Sequence, residues 1–240
     1  MVYDIKNISV DIHGNQILKN ISFQINEGEI FCVIGTSGSG KSTLLRTLNR
    51  LQKIKEGEIL LNGLSIYSVS PQKLRKNAMM ILQAPSLFEG TVQDNILLGL
   101  QFSGEIYKKD GFVLASNLLD KVGLESNLLE RNALSLSIGQ QQRVSIARTL
   151  AMKSNILLCD EITSALDPKS TIHIQQVLLD LKREEKKTVI LVTHNMDLVQ
   201  QIADRVGLLI EGRLVEVSTT KEFFDNPSTE FGKNFLSTIA

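Results

Sequence analysis

Residues 35–43 read Gly-Thr-Ser-Gly-Ser-Gly-Lys-Ser-Thr, directly after the apolar run Phe31-Cys32-Val33-Ile34 and directly before Leu44-Leu45-Arg46-Thr47-Leu48. A strand, a glycine loop and a helix in that order make a phosphate-binding loop. The loop amides can wrap a polyphosphate because Gly35, Gly38 and Gly40 carry no Cβ to hold it off. The helix opening near Lys41 adds its positive end. Lys41 brings a full charge to the terminal phosphates, and the Ser42 hydroxyl is a ligand for Mg²⁺. The chain is therefore expected to bind a nucleoside triphosphate through Gly35, Thr36, Ser37, Gly38, Ser39, Gly40, Lys41, Ser42 and Thr43.

The rest of the pattern fits an α/β protein built on a parallel sheet. Ile156–Cys159, Val189–Val192 and Val206–Ile210 are short continuous apolar runs, as in strands buried on both faces. A helical stretch over 169–186 separates the first two, which implies βαβ units. The first third is β-rich, with segments 2–12, 17–25 and 58–62 punctuated by turn signals such as His13-Gly14-Asn15 and Asn62-Gly63. Residues 84–153 read as mostly helical and are taken as an insertion, leaving 1–83 and 154–240 as one core and the whole chain as a single domain. The charge run Lys182–Lys187 reads as a solvated face at a helix end.

Composition narrows the partners. Lys plus Arg and Asp plus Glu stand at 26 each in 240 residues, so nothing in the net charge draws the chain to nucleic acid or anionic lipid. Cys32 and Cys159 both lie in apolar runs and are expected to be buried, reduced thiols, not a disulfide or a metal site. The N-terminus lacks the features of a signal peptide, and no apolar run approaches the roughly 18 residues of a membrane helix. Work at a membrane would need another protein to hold the chain there.

Ile156-Leu157-Leu158-Cys159-Asp160-Glu161 is an apolar strand ending in two carboxylates. At the C-terminal end of a parallel strand, such groups sit where ligands bind. Asp160 can hold Mg²⁺ directly or through water, and Glu161 can polarise a water for in-line attack on a γ-phosphate. Further motifs then carry a resemblance. Leu136-Ser137-Ile138-Gly139-Gln140 is similar to the LSGGQ signature of ABC ATPases, and Ser164-Ala165-Leu166-Asp167 resembles their D-loop. Gln83, after Met79-Met80-Ile81-Leu82, resembles the Q-loop glutamine, and His194, after Val189–Thr193, the switch histidine.

That resemblance implies a P-loop NTPase (RecA-like) core with an N-terminal antiparallel β subdomain and a helical insertion. It implies ATP and Mg²⁺ as cofactors, with Lys41, Gln83, Glu161 and His194 in hydrolysis and Ser42, Gln83 and Asp160 at the metal. Two such chains, identical or not, would face head to tail. Ser137, Ile138, Gly139, Gln140 and Asp167 of one would then meet the nucleotide of the other. Gln83, followed by the helix-stopping Pro85, is expected to sense the γ-phosphate or Mg²⁺ and to move the 84–153 insertion. Departures are visible as well. Ile138 stands in place of glycine, so either it keeps an ordinary backbone angle or closure on ATP is weakened. Ile162 replaces a common proline, and His13 stands where an aromatic often stacks on adenine.

The resemblance points to the ATP-hydrolysing subunit of an ABC transporter, peripheral on the cytoplasmic side of the membrane. Integral permease subunits would dock on the helical insertion near Phe88–Val92, and no nucleic acid partner is expected. Val192-Thr193-His194-Asn195-Met196 and Asp225-Asn226-Pro227 are similar to importers of phosphate, polar amino acids or methionine, with phosphate placed first. Glu161-Ile162-Thr163 resembles some exporter-like ATPases. A soluble cassette, for example in cluster assembly, and a non-hydrolysing regulatory module are the other readings.

Overall fold

The structure is a computed structural model that describes residues 1–102 and 111–239. Residues 103–110 of the stretch expected to be helical lie outside the described residues. Strands β1 (Tyr3–Ile12) and β2 (Asn15–Ile25) form a hairpin about His13-Gly14, and β3 (Ile30–Ile34) leads through the glycine loop into α1 (Lys41–Leu48). Then come β4 (Glu56–Leu61), β5 (Leu64–Ser65), α2 (Pro71–Asn77) and β6 (Ala78–Ile81). Helices α3 (Val92–Phe102), α4 (Gly111–Lys121) and α5 (Ile138–Ala151) follow. The chain next alternates β7 (Ile156–Asp160), α6 (Pro168–Glu185), β8 (Thr188–Val192), α7 (Met196–Ile202) and β9 (Arg205–Ile210). It ends with β10 (Arg213–Thr219), α8 (Thr220–Asp225) and α9 (Glu230–Ile239).

The strands form two sheets. Four antiparallel strands take the order β2-β1-β4-β5, and six take the order β10-β9-β3-β8-β7-β6. In the larger sheet β9, β3, β8, β7 and β6 are all parallel. Only β10 runs against its neighbour, so the sheet is mixed at one edge and not purely parallel. The reversal is local: Glu211 and Gly212 both adopt positive φ, 47° and 79°. Two positive φ values in succession are what a tight two-residue hairpin requires.

The central strands are buried on both faces, and each face serves its own core. Ile30, Cys32 and Ile34 of β3 join Leu157, Cys159, Val189 and Leu191 in a core packed by α3, α5 and α6. Phe31 and Val33 join Leu158, Ile190 and Val192 in a second core, closed by α1 and the antiparallel sheet. Period-two alternation along the strands thus sorts a continuous apolar run into two layers. Phe23 of β2 stacks on Phe31 of β3 at 5.3 Å between centroids, tying the sheets together. Cys32 and Cys159 are buried free thiols whose ionisation burial opposes, Cys159 being pushed up to about 12.

Tyr3 secures the helix that follows the glycine loop. Its buried hydroxyl donates to the carbonyl of Leu48, the last residue of α1, at 3.0 Å. A helix-end carbonyl has no intrahelical donor, so the bond fills a vacant position. Tyr3→Phe should lower stability by about 1–2 kcal/mol, because it leaves that carbonyl without its donor. The midpoint of thermal unfolding should fall by roughly 2–8 °C in a chain of this size. An unchanged midpoint would show that the hydroxyl contributes nothing.

Candidate active site

The glycine loop leaves β3 and lies against two other strands. Gly35 has φ 146°, and a Cβ there would stand 1.9 Å from the backbone oxygen of Leu209 in β9. Gly40, the N-cap of α1, has φ 102°, and its Cβ would meet Leu18 of β2 at 2.9 Å. At Gly38 a Cβ would meet nothing within 4 Å. The glycines at 35 and 40 are therefore required for the loop to pack on its own sheets, a reason different from the expected clearance for phosphate. Lys41 is 8% exposed, and its Nζ donates to the carbonyls of Gly35 at 3.0 Å and Thr36 at 2.8 Å. Burial lowers its pKa, against the opposing pull of the Glu161 and Asp160 carboxylates.

The ends of β7, β8 and β6 bring the other residues to the loop. Ser42 Oγ donates to Asp160 Oδ1 at 2.7 Å. Burial raises the pKa of Asp160, while the Ser42 bond and Arg46, 3.7 Å away, oppose the rise. Glu161 Oε2 accepts from Gln83 Nε2 at 3.0 Å and lies 3.4 Å from His194 Nδ1. Glu161 itself has φ 47°, a left-handed backbone that costs a non-glycine residue on the order of 1–3 kcal/mol. Its N–H donates to Val192 at 2.9 Å, and its carbonyl accepts from the Ser164 amide and hydroxyl at 3.1 and 2.9 Å. These bonds hold the strained turn and aim the carboxylate at Gln83 and His194. Ile162, in the common place of proline, is fully buried in the helix-side core.

A cleft of about 600 Å³ results, lined by Ile12, Ile17, Gln83, Glu161, His194 and the loop from Gly35 to Thr43, except Thr36 and the buried Ser39, which do not line it. Lys41, Ser42, Gln83, Glu161 and His194 thus share one cavity, with Asp160 bonded to Ser42 beneath it. His13 does not line this cleft. It is exposed in the hairpin turn with φ 50°, and Ile12 and Ile17 form the wall instead.

Ser137, Ile138, Gly139, Gln140 and Asp167 are not among the lining residues either. They form a separate surface. Helix α5 starts at Ile138, with Ser137 as its N-cap. Ser137 Oγ accepts from the Gln140 amide at 3.3 Å, and Gln140 Oε1 accepts from the Ser137 amide at 3.1 Å, a capping box. Ile138 is 65% exposed and lies in the first helical turn without a positive φ, so it keeps an ordinary backbone angle. Gly139 faces the D-loop, where a Cβ would stand 3.2 Å from the Ala165 oxygen. Asp167 caps α6 by accepting from the Ser170 amide at 3.0 Å and hydroxyl at 2.6 Å, which holds its carboxyl below the usual range.

Two site neighbours escaped the sequence reading. Arg46 lies one helical turn after Ser42, a spacing that could have revealed its approach to Asp160. Ile17, the first residue of the segment read as a strand, carries no signal that it faces the cleft. The donors present suit a hard divalent cation carried by phosphate: a hydroxyl and a carboxylate 2.7 Å apart. Among the described residues no group of three or more His, Cys, Asp or Glu stands ready to hold a metal alone.

Known proteins share this fold. The profile of the family described as ABC transporter matches residues 18–164. The chain is 42% identical over 224 residues to the methionine import ATP-binding protein MetN of Latilactobacillus sakei, covering 92% of this chain and 64% of that protein. The ATP-binding cassette MJ0796, solved as a post-hydrolysis dimer bound to ADP and Pi, superposes with a TM-score of 0.84 at 31% identity, covering 91% of this chain and 98% of that one. CbiO1 of Clostridium perfringens, part of the ABC transporter complex CbiONQ, gives 0.83 at 28% identity over 99% and 94%. By sequence and by fold, this chain belongs to the ABC transporter family, as a cassette that binds and hydrolyses ATP.

Proposed function

We propose that the chain drives a membrane transporter for a small polar solute, as one of two cassettes paired head to tail. The observation that carries this is the separation of two half-sites on one chain: the cleft around Lys41 and Glu161, and the surface of Ser137, Gly139 and Asp167. Neither is complete alone, and each supplies what the other lacks. No described helix is long and apolar enough to cross a membrane, and the proposed partners for transport are integral permease subunits. The relatedness to MetN, named for methionine import, supports import of a polar solute. Phosphate is placed first among phosphate, polar amino acids and methionine on the sequence similarity around Val192–Met196 and Asp225–Pro227. The cassette would sit peripherally on the cytoplasmic face. The 84–153 segment would act as a subdomain hinged at Gln83, receiving the permease near Phe88, whose ring is 57% exposed.

The residues divide the work of hydrolysis. Lys41 leaves the Gly35 and Thr36 carbonyls for the β- and γ-phosphates of ATP. Ser42 and Asp160 would hold Mg²⁺, which when bound neutralises phosphate charge. Glu161 accepts a proton from the attacking water and points it at phosphorus, while Gln83 and His194 fix the carboxylate and contact the γ-phosphate. Stacking on adenine by His13 would require the hairpin turn to fold over the cleft, beside Ile12 and Ile17. From the facing chain, Ser137, Gly139 and the N-terminus of α5 meet the γ-phosphate, with Ile138, Gln140 and Asp167 beside them. Hydrolysis removes that shared ligand, and the pair can part.

Two experiments test this reading. Glu161→Gln should lower ATP turnover at least about 100-fold, the scale of a general base, and trap a dimer on gel filtration in saturating ATP. A monomer under those conditions would defeat the paired model. Ile138→Asp separates folding from pairing. A carboxylate in the first turn favours the helix dipole, so thermal stability of the monomer should hold or rise by about 0.3–1 kcal/mol. The same charge repels an arriving triphosphate, so the ATP-trapped dimer of the Glu161→Gln chain should be lost. Survival of that dimer would place the phosphate elsewhere.

A further inference from the structure

We propose that Gln142 is a positioning residue for hydrolysis, which tethers the helix bearing the signature residues to the backbone that aims Gln83 at Glu161. The proposal rests on the reading that Gln83 acts through Glu161. Four consecutive polar residues of α5 each serve a different direction. Gln140 closes the capping box, and Gln141 Nε2 donates to the Leu136 carbonyl at 2.9 Å. Arg143 donates to the Gly123 carbonyl at 2.8 Å. Gln142 alone turns inward. It is 1% exposed, and its Nε2 donates to the carbonyl of Leu82 at 3.0 Å.

Leu82 is the residue before Gln83, just beyond the end of β6. A continuous path therefore runs from α5 through Gln142 and the Leu82 carbonyl to Gln83, and on to Glu161 Oε2 at 3.0 Å. The other amide atom, Gln142 Oε1, is buried without a hydrogen-bond partner. A half-satisfied buried amide is costly, and a position needed only for packing would be better served by Leu or Met. What the amide adds is the tether. Its consequence is communication between the two nucleotides of a pair. When Ser137 and Gly139 engage the facing chain's phosphate, a displacement of α5 reaches Gln83 at this chain's own nucleotide through one hydrogen bond.

A double-mutant cycle tests this, with ATP turnover measured at saturating ATP and Mg²⁺ on Gln142→Met, Gln83→Ala and the combined variant, and with thermal unfolding of each. Gln142→Met keeps length and volume but cannot donate; Gln142→Leu serves as the second variant should the first fold poorly. With Gln83 present, the substitution should lower kcat between about tenfold and a hundredfold, the scale of a misaimed catalytic group, with KM for ATP within about twofold. In the Gln83→Ala background it should change kcat by less than about twofold. Losses that multiply would show that Gln142 acts independently of Gln83 and overturn the proposal, as would an undiminished kcat for both Gln142 variants. Full turnover by Gln83→Ala alone would defeat the assignment of Gln83 first, and the tether with it.

Discussion

Val192 pairs with Val33 on one side and with Asp160 on the other, and Cys159 pairs in turn with Ile81. These registers end four parallel strands at one edge of the sheet. From that edge leave the glycine loop after β3, Glu161 after β7, His194 after β8 and Gln83 after β6. Ligands gather at the carboxyl ends of parallel strands for this reason: every loop there starts from a fixed height. A slip of one residue in β7 would turn Asp160 into a core and carry Cys159 toward Ser42. The continuous apolar runs that pin the register serve both layers at once, so the same residues hold the fold and set the site.

Local charge and strain then tune what the register places. The chain carries no net charge, yet Lys41, Asp160 and Arg46 meet in a partly buried cluster where their interactions exceed those of exposed pairs. Burial disfavours charge on both Lys41 and Asp160, lowering the pKa of one and raising that of the other, and nearby opposite charges offset only part of it. A nucleotide with its cation adds both signs to this cluster at once. Glu161 is held by backbone strain in place of charge. Its left-handed φ is maintained by Val192 and Ser164, with Ile162 anchored in the core behind it. Proline is thus dispensable there, because burial of the isoleucine side chain fixes the turn that a restricted φ would otherwise fix.

Much of this was legible from the chain. The glycine loop, the paired carboxylates and the three apolar runs stand where periodicity and motif place them, since their patterns are local. What stayed hidden depends on distant packing. The antiparallel β10 follows a Glu-Gly turn whose positive φ values no propensity announces for Glu211. The requirement for Gly35 comes from Leu209, far along the sequence, and the inward turn of Gln142 comes from a partner 60 residues away. His13 could be placed beside Gly14 from sequence, but its exposure beyond the cleft is set by the hairpin's path.

The signature surface shows how a departure in sequence can leave local backbone geometry intact. In the capping box, Ser137 and Gln140 satisfy each other's amides, the N-cap and third positions of α5. Four amides at a helix start lack partners within the helix, and the box does not serve those of Ile138 and Gly139. These are the donors that an anion can take, and the dipole of a 14-residue helix stands behind them. Both belong to the backbone. Ile138 enters a helical turn with its side chain largely in solvent, so a β-branched residue there withholds nothing that glycine would offer. Gly139 is the more confined of the pair, because a Cβ added there would stand 3.2 Å from the Ala165 oxygen of the D-loop. Space at position 139 is therefore limited by contact within the chain, while position 138 carries an exposed apolar side chain.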